Sequence, residues 1–182
     1  IMSVYISLLR GINVSGKKLI KMDALVNLYE QLGYENITTY VQSGNVVFCT
    51  SQKNAKKIES KIYDKIKSSF EFDVPTLVYT TEEFQELVDG NPFLKDETKS
   101  SEQLYYTFLS TPPETADLAK FEALLLDNEE FYYTNRVVYL YFPEGYSKTK
   151  LNNNKIESIL NVASTTRNAN TTSALLKMAS LK

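Results

Sequence analysis

A short polar segment near the N-terminus carries the residues best suited to bind an anion. It runs from Arg10 to Lys18 and combines an arginine, an asparagine, two glycines and two lysines. Backbone N–H groups of a glycine-containing loop and cationic side chains can both be directed at a phosphate or carboxylate. An apolar run precedes the segment and an amphipathic stretch follows it, which predicts a loop between a strand and a helix. Within this loop, Arg10, Asn13 and Lys17 are the candidate ligand-binding residues.

A second polar segment, Gln42-Ser43-Gly44-Asn45, separates two runs rich in β-branched residues. Serine, glycine and asparagine are the residues that tight turns use, so the segment predicts the turn of a β-hairpin. A functional interpretation is also open, in which the amides of Gln42 and Asn45 lie beside the first loop and bind the same ligand.

The third polar segment is Thr165-Thr166-Arg167-Asn168, which precedes an amphipathic stretch typical of a helix. The chain has three arginines, and two of them, Arg10 and Arg167, lie in polar segments of this kind. We predict a loop here, in which Thr166, Arg167 and Asn168 contribute charge and N–H groups to an anion site.

Each segment also has a purely structural interpretation, and both interpretations stay open at this point. Gly11 and Gly16 would supply positive φ angles, and Arg10 would pair with a carboxylate. The turn of the second segment would only connect its strands. In the third segment, Asn168 or Asn170 would cap the following helix by accepting a hydrogen bond from a backbone N–H group.

The glycine-containing loop also approaches the phosphate-binding pattern G-x-x-x-x-G-K-[ST], but three features argue against that motif. Lys18 stands where the pattern needs a hydroxyl to bind Mg²⁺. The following helix is predicted to begin near Met22, too late for its N-terminus to face the phosphates. The one acidic run that could bind the metal, Leu124-Leu125-Leu126-Asp127, lies within a helical pattern.

Missing residue types exclude several classes of site. The chain has no histidine, which excludes Ser-His-Asp and Cys-His catalysis and metal sites with imidazole ligands. Its single cysteine, Cys49, excludes thiolate clusters and intrachain disulfides, and it fits a reducing cytoplasm. We predict that Cys49 is a reduced, non-catalytic thiol, and we predict neither a metal nor a cofactor.

The chain also lacks the segments that address a protein to a membrane. No apolar run approaches the roughly 18 residues that a membrane span needs. The N-terminal residues do not show the basic region, apolar region and small-residue cleavage site that follow one another in a signal peptide. We therefore predict a cytoplasmic protein with no membrane partner.

Nucleic acid is a disfavoured partner, although the sequence leaves it open. The lysines of residues 53–70 spread around a predicted helix, as on a solvated surface. Tyrosines alternate along residues 131–142, and exposed strand aromatics can stack RNA bases. However, residues 81–182 carry ten basic and fifteen acidic side chains, whereas residues 1–80 carry ten and seven. The sequence assigns no oligomeric state.

Periodicity predicts a strand-helix-strand-strand-helix-strand order for the first half, which is that of a ferredoxin-like domain. Its predicted elements are strand Ser3–Leu9, helix Met22–Leu32, strands Ile37–Val41 and Val46–Thr50, helix Lys53–Phe70 and strand Val74–Tyr79. In such a sheet the first and third strands are neighbours, so the first loop and the 42–45 turn can lie at the same end.

The second half predicts a similar order. Its predicted elements are helix Thr81–Leu87, strand Leu104–Leu109, a helix after Pro113 that ends at Leu126, strands Phe131–Thr134 and Val137–Phe142, and helices Leu151–Leu160 and Thr171–Ala179. A helix is thus predicted where a fourth strand would fall. We predict an α+β protein with two ferredoxin-like units in series, a domain over residues 1–80 and a second over residues 81–182.

Three motifs together resemble the bacterial family known as domain of unknown function 1697. They are Leu8-Leu9-Arg10-Gly11-Ile12-Asn13-Val14 with Gly16-Lys17, then Tyr40-Val41-Gln42-Ser43-Gly44-Asn45-Val46-Val47-Phe48, then Thr165-Thr166-Arg167-Asn168. The family's last motif usually continues with tryptophan, and Ala169 stands there in this chain. The resemblance implies a two-domain α+β fold with ferredoxin-like topology, and it implies no activity.

The sequence therefore predicts a protein that binds a small phosphate- or carboxylate-bearing ligand through its polar loops. The alternative is a module that binds protein or nucleic acid and whose polar loops are structural. The residue pattern assigns no catalytic group.

Overall fold

The computed structural model describes residues 1–182 and contains two four-stranded antiparallel sheets and six α-helices. The elements are β1 (Ser3–Leu9), α1 (Met22–Gln31), β2 (Glu35–Tyr40), β3 (Asn45–Thr50), α2 (Ala55–Phe70), β4 (Thr76–Thr80), α3 (Thr81–Asp89), β5 (Leu104–Leu109), α4 (Leu118–Leu124), β6 (Glu130–Tyr133), β7 (Val137–Tyr141), α5 (Asn153–Leu160), β8 (Ser164–Asn168) and α6 (Ala169–Ser180). The predicted class, two α+β units in series, is confirmed.

The chain divides into two compact units. The first unit comprises Ile1–Glu86 and Ser173–Lys182, and the second comprises Leu87–Thr172. The predicted domain boundary between residues 80 and 81 stays a prediction. No helix of either unit is both long enough and apolar enough to cross a lipid bilayer.

The sheet of the first unit has the strand order β2-β3-β1-β4, with every neighbouring pair antiparallel. Strand β1 is central because its last five residues are buried, so that it needs a neighbour on each side. Helix α2 packs its buried residues Ile58, Ile62 and Ile66 into the core, as their spacing of four predicts. The side chain of Asn54 caps this helix by accepting from the N–H of Lys57 at 3.1 Å.

Aromatic rings form the centre of the first unit's core. The ring of Phe48 on β3 stacks on Tyr34 at 4.8 Å and meets Tyr29 edge-on at 5.2 Å. The Tyr29 hydroxyl shares a hydrogen bond of 2.7 Å with the Ser7 hydroxyl, and both residues are buried. The Tyr34 hydroxyl is buried without a hydrogen-bond partner.

The sheet of the second unit has the order β6-β7-β5-β8, which repeats the topology of the first. The helix predicted over Thr171–Ala179 is present within α6, but the sequence missed the fourth strand that precedes it, because β8 pairs with β5 over residues 164–168. Residues 165–168 were expected in a loop since they are entirely polar. In the strand their side chains bond to polar groups instead of packing on apolar ones, as the hydroxyls of Thr107 and Thr166 show at 2.7 Å.

Candidate functional site

The loop that joins β1 to α1 is rich in left-handed backbone. Five of its residues have positive φ, namely Gly11 at 74°, Asn13 at 56°, Ser15 at 51°, Gly16 at 71° and Lys18 at 47°. A few per cent of non-glycine residues adopt this region, and such residues cluster at functional sites when the surrounding structure holds them there. The local geometry therefore marks this loop as a candidate site.

The side chain of Asn13 holds this conformation in place. Its amide nitrogen donates to the carbonyl oxygens of Ile20 at 3.0 Å and Gln42 at 2.8 Å. Its oxygen accepts from the N–H of Ile20 at 2.9 Å. Asparagine tolerates left-handed backbone better than most residues, which suits it to this position. Through these hydrogen bonds, Asn13 connects the beginning of its own loop to the end at Ile20 and to the turn between β2 and β3 at Gln42.

The tip of the loop is a miniature hairpin that projects into solvent. The N–H of Asn13 donates to the carbonyl oxygen of Lys18 at 3.1 Å, and the N–H of Lys17 donates to that of Val14 at 2.9 Å. All four residues from Val14 to Lys17 are exposed. The ammonium group of Lys17 is therefore presented outward on a closed loop.

Gly44 brings the β2–β3 turn against the end of β1. Its carbonyl oxygen accepts from the N–H of Leu9 at 2.8 Å. A Cβ on Gly44 would stand 2.6 Å from the Cβ of Leu9 and 3.0 Å from the Cδ1 of Ile12, and the φ angle is +89°. No other residue fits this contact without displacement. Residues 10–18 and 41–45, called the paired loops below, consequently lie side by side.

Two cationic residues lie at the base of the paired loops. Arg10 is partly buried, and its N–H donates to the carbonyl oxygen of Pro75 at 3.0 Å. The ammonium of Lys18 donates to the carbonyl oxygen of Asp73. The Asp73 carboxylate accepts from the Tyr63 hydroxyl at 2.6 Å, and this bond is the largest cause that lowers its pKa.

The two amide residues of the turn have different roles. Asn45 is fully buried, and its amide donates to the carbonyl oxygen of Tyr40 at 3.0 Å and to the Ser43 hydroxyl at 2.9 Å. Asn45 therefore stabilises the turn from within. Gln42 is exposed, and its carbonyl oxygen is the acceptor for Asn13.

The remaining candidates lie in the second unit, on β8 rather than in a loop. Arg167 is 8% exposed, and its guanidinium donates to the Thr165 hydroxyl at 2.7 Å and to the carbonyl oxygen of Thr166 at 3.0 Å. Burial lowers the pKa of Arg167 to about 10. The Thr166 hydroxyl also donates to the side-chain oxygen of Asn153 at 2.9 Å.

Asn168 ends β8 and caps the helix that follows it. Its side-chain oxygen accepts from the N–H of Thr171 at 2.8 Å, which is the capping contact of an N-terminal asparagine. The next residue, Ala169, is buried and is the first residue of α6. The structural interpretation of Asn168 is thus supported directly by a contact.

Sequence reasoning missed three exposed apolar side chains in and beside the paired loops. Val14 is 55% exposed, Leu19 is 64% exposed and Val41 is 51% exposed. Val41 was predicted at the end of a strand, but β2 ends at Tyr40 and Val41 lies in the turn with a φ of 51°. A β-branched residue in left-handed backbone is a genuine outlier.

Among the strand aromatics of the second unit, Tyr132 is 52% exposed, whereas three rings of the central strands are withdrawn from solvent. Tyr106, Phe108 and Tyr139 are buried. The Tyr139 hydroxyl donates to the carbonyl oxygen of Leu87 at 2.6 Å, which fixes this ring within the unit. Sheets that bind RNA stack two or three bases on exposed rings, and Tyr132 alone gives that mode of recognition little support.

No group of three or more histidine, cysteine, aspartate or glutamate side chains is placed to hold a metal ion. Cys49 is a free thiol, buried on β3. The donor set of the paired loops consists instead of ammonium, guanidinium, amide and backbone N–H groups, which are suited to bind oxyanions.

A family model described as protein of unknown function (DUF1697) matches residues 2–139 of the chain. Among solved structures, the chain is similar to the conserved bacterial protein SP0830 from Streptococcus pneumoniae, with 26% sequence identity and a TM-score of 0.75. That similarity covers 98% of this chain and 99% of the other. No curated protein matches the chain.

Proposed function

The chain belongs to the DUF1697 family of proteins of unknown function, and we propose that it binds a small anion on its paired loops. The ligand carries a phosphate or carboxylate group. The observation that carries this proposal is the set of five positive-φ residues between Gly11 and Lys18, in a loop that the Asn13 side chain bonds to Ile20 and Gln42. Turns with left-handed residues can direct free N–H groups at an anion, and here the N–H groups of Asn13 and Lys17 are bonded within the loop.

The local charge supports an anion at this place. The first 22 residues contain four cationic side chains and no aspartate or glutamate. The cations are Arg10, Lys17, Lys18 and Lys21. The turn from Val41 to Asn45 adds no acidic residue. An approaching anion therefore meets attraction from the paired loops without a competing carboxylate in either of them.

We assign the candidate residues different tasks in this site. Lys17 and Arg10 supply the charge, and the exposed amide of Gln42 supplies a neutral donor. Asn13 and Asn45 hold the backbone in place, since their amides bond to carbonyl oxygens of the loops. The contribution of Thr166, Arg167 and Asn168 stays a prediction, which an Arg167→Lys variant tests by its effect on anion affinity.

The proposal is tested by titrating ¹⁵N-labelled protein with inorganic phosphate and with acetate. Binding should shift the amide resonances of residues 10–18 and 41–45, and it should raise the melting temperature by mass action. Lys17→Ala should weaken the binding by about tenfold, as the loss of one charge-assisted contact does. The matched control is Lys57→Ala, which removes an exposed lysine on α2.

Arg10→Ala serves as a second variant, because Arg10 is partly buried whereas Lys17 is exposed. Unchanged resonances of the paired loops at saturating phosphate and acetate would overturn the proposal. An equal loss of binding in the Lys17 and Lys57 variants would do the same, since it would mean attraction by the net charge alone.

A further inference from the structure

Each of the exposed apolar residues Val14, Leu19 and Val41 adjoins in the chain either Asn13 or a residue that Asn13 bonds to. Val14 follows Asn13 in the chain, Leu19 precedes Ile20, and Val41 precedes Gln42. Asn13 bonds to the backbone of both Ile20 and Gln42, so one side chain holds together the three segments that carry the apolar groups. We call these three residues the apolar rim.

The conformation of Val41 is not explained by the stability of the turn. Its φ is 51°, a region where the branched side chain of valine crowds the backbone, and the side chain is half exposed. Asparagine or glycine would relieve that strain without loss of a buried contact. A strained residue that keeps an apolar group in water is typical of a surface that is covered when the protein acts.

The apolar rim is interleaved with the cations of the proposed anion site. Lys17 lies between Val14 and Leu19 in the chain, and Lys18 directly precedes Leu19. The ammonium of Lys17 projects from the hairpin tip on which Val14 also lies. Exposed cationic and apolar residues therefore alternate along this segment.

From this arrangement we propose that the ligand is an amphiphilic anion, in which a phosphate or carboxylate group is attached to an apolar body of several carbon atoms. The inference rests on the proposed function and names the class of ligand for the same site. The anionic group binds the N–H groups and cations of the paired loops, and the apolar body covers Val14, Leu19 and Val41. A bare inorganic anion would leave these side chains in water and gain nothing from them.

A series of n-alkyl phosphates tests the inference, because it lengthens the apolar body while the anionic group stays the same. The probes are inorganic phosphate and the methyl, butyl and hexyl monoesters, titrated as monomers into ¹⁵N-labelled protein. A fully buried methylene strengthens binding about fourfold, so a methylene that is half covered on an open surface should strengthen it about twofold. Hexylammonium serves as the probe with the same apolar body and the opposite charge.

Variants of the apolar rim connect the dependence on chain length to this surface. Leu19→Ser and Val41→Asn should flatten the increase from methyl to hexyl phosphate and leave the affinity for inorganic phosphate unchanged. Leu94→Ser is the matched control, since Leu94 is 50% exposed and lies in the second unit. It should leave the whole series unchanged.

The outcomes separate this inference from the proposed function. Equal affinity along the series, with phosphate still bound at the paired loops, would overturn the amphiphilic ligand and leave anion binding intact. Affinities that Lys17→Ala leaves unchanged along the whole series, or hexylammonium binding as tightly as hexyl phosphate, would overturn both. A series that Leu94→Ser flattens as much as Leu19→Ser would overturn the assignment of the apolar rim.

Discussion

The carboxylate of Glu59 accepts a hydrogen bond of 2.9 Å from the backbone N–H of Val78. Val78 lies on β4, the edge strand of the first sheet, and this N–H points away from β1. Glu59 lies on α2, so the helix covers an edge group that another chain could otherwise pair with. In the second unit, Glu157 on α5 accepts from the N–H of Ser164 on the edge strand β8 at 2.6 Å. Both units thus protect corresponding edges by the same means.

Glu59→Ala should destabilise the first unit by about 1–3 kcal/mol, because it leaves the partly buried N–H of Val78 without its charged acceptor. Glu59→Gln keeps an acceptor oxygen at the same place and should cost less. The free energy of unfolding in urea measures both variants. If the alanine and glutamine variants are equally stable, the contact with Val78 contributes nothing.

The failure to predict β8 from the sequence has the same physical origin as this edge contact. An edge strand can satisfy its backbone through polar side chains, as Glu157 does for Ser164, and its own side chains need not alternate between apolar and polar. The sequence of Thr165 and Thr166 therefore carries no period of two. The central strands β1 and β5 are apolar, and their extents were predicted correctly.

The candidate site on the paired loops was also predicted only in part from the sequence. The loop after β1 and the turn before β3 follow from glycine and asparagine content, and the ferredoxin-like order places them at one end of the sheet. The role of Asn13 could not be predicted, because its acceptor on Gln42 lies 29 residues away in the chain. Val41 was missed because its left-handed backbone contradicts the preference of valine.

Gly44→Ala should lower the free energy of unfolding by about 2–4 kcal/mol. The new methyl group would combine a left-handed backbone penalty with a contact of 2.6 Å to the Cβ of Leu9. Gly33→Ala is the matched control, since its φ is +80° and nothing lies within 4 Å of the added carbon. Gly33→Ala should lower the free energy of unfolding only by the penalty for left-handed backbone, about 1–2 kcal/mol. Equal losses in the two variants would mean that Leu9 moves aside freely.

Tyr34→Phe should stabilise the protein by up to about 1 kcal/mol, because the Tyr34 hydroxyl is buried without a partner. Tyr29→Phe should instead destabilise it by about 1 kcal/mol or more, since it leaves the buried Ser7 hydroxyl unpaired. The rings keep their contacts with Phe48 in both variants. Urea denaturation of the pair measures the difference, and a loss of stability in the Tyr34 variant would contradict the assignment.

The burial of Tyr34 should also affect how the free energy of unfolding depends on pH in alkaline solution. Desolvation raises the pKa of Tyr34 from 10.0 to about 12, so the folded state binds the phenolic proton more tightly than the unfolded state. Below pH 10 the phenol is protonated in both states, and as the pH rises from 10 to about 12 the unfolded state releases this proton first, which lowers the free energy of unfolding. Tyr34→Phe should therefore reduce the slope of unfolding free energy against pH in that window. An unchanged slope would mean that the phenol titrates normally in the folded protein.

Val41→Asn should stabilise the protein while it weakens the binding of an amphiphilic anion. Asparagine accepts the φ of 51° with less steric crowding, which should raise the free energy of unfolding by about 1 kcal/mol. The same change removes an apolar group from the rim, so hexyl phosphate should lose affinity while inorganic phosphate does not. Val46→Ala serves as the comparison with a valine that the fold needs. Val46 is fully buried on β3, and its truncation should destabilise the core. If Val41→Asn is destabilising instead, the valine serves the fold, and its strain gives no support to a ligand.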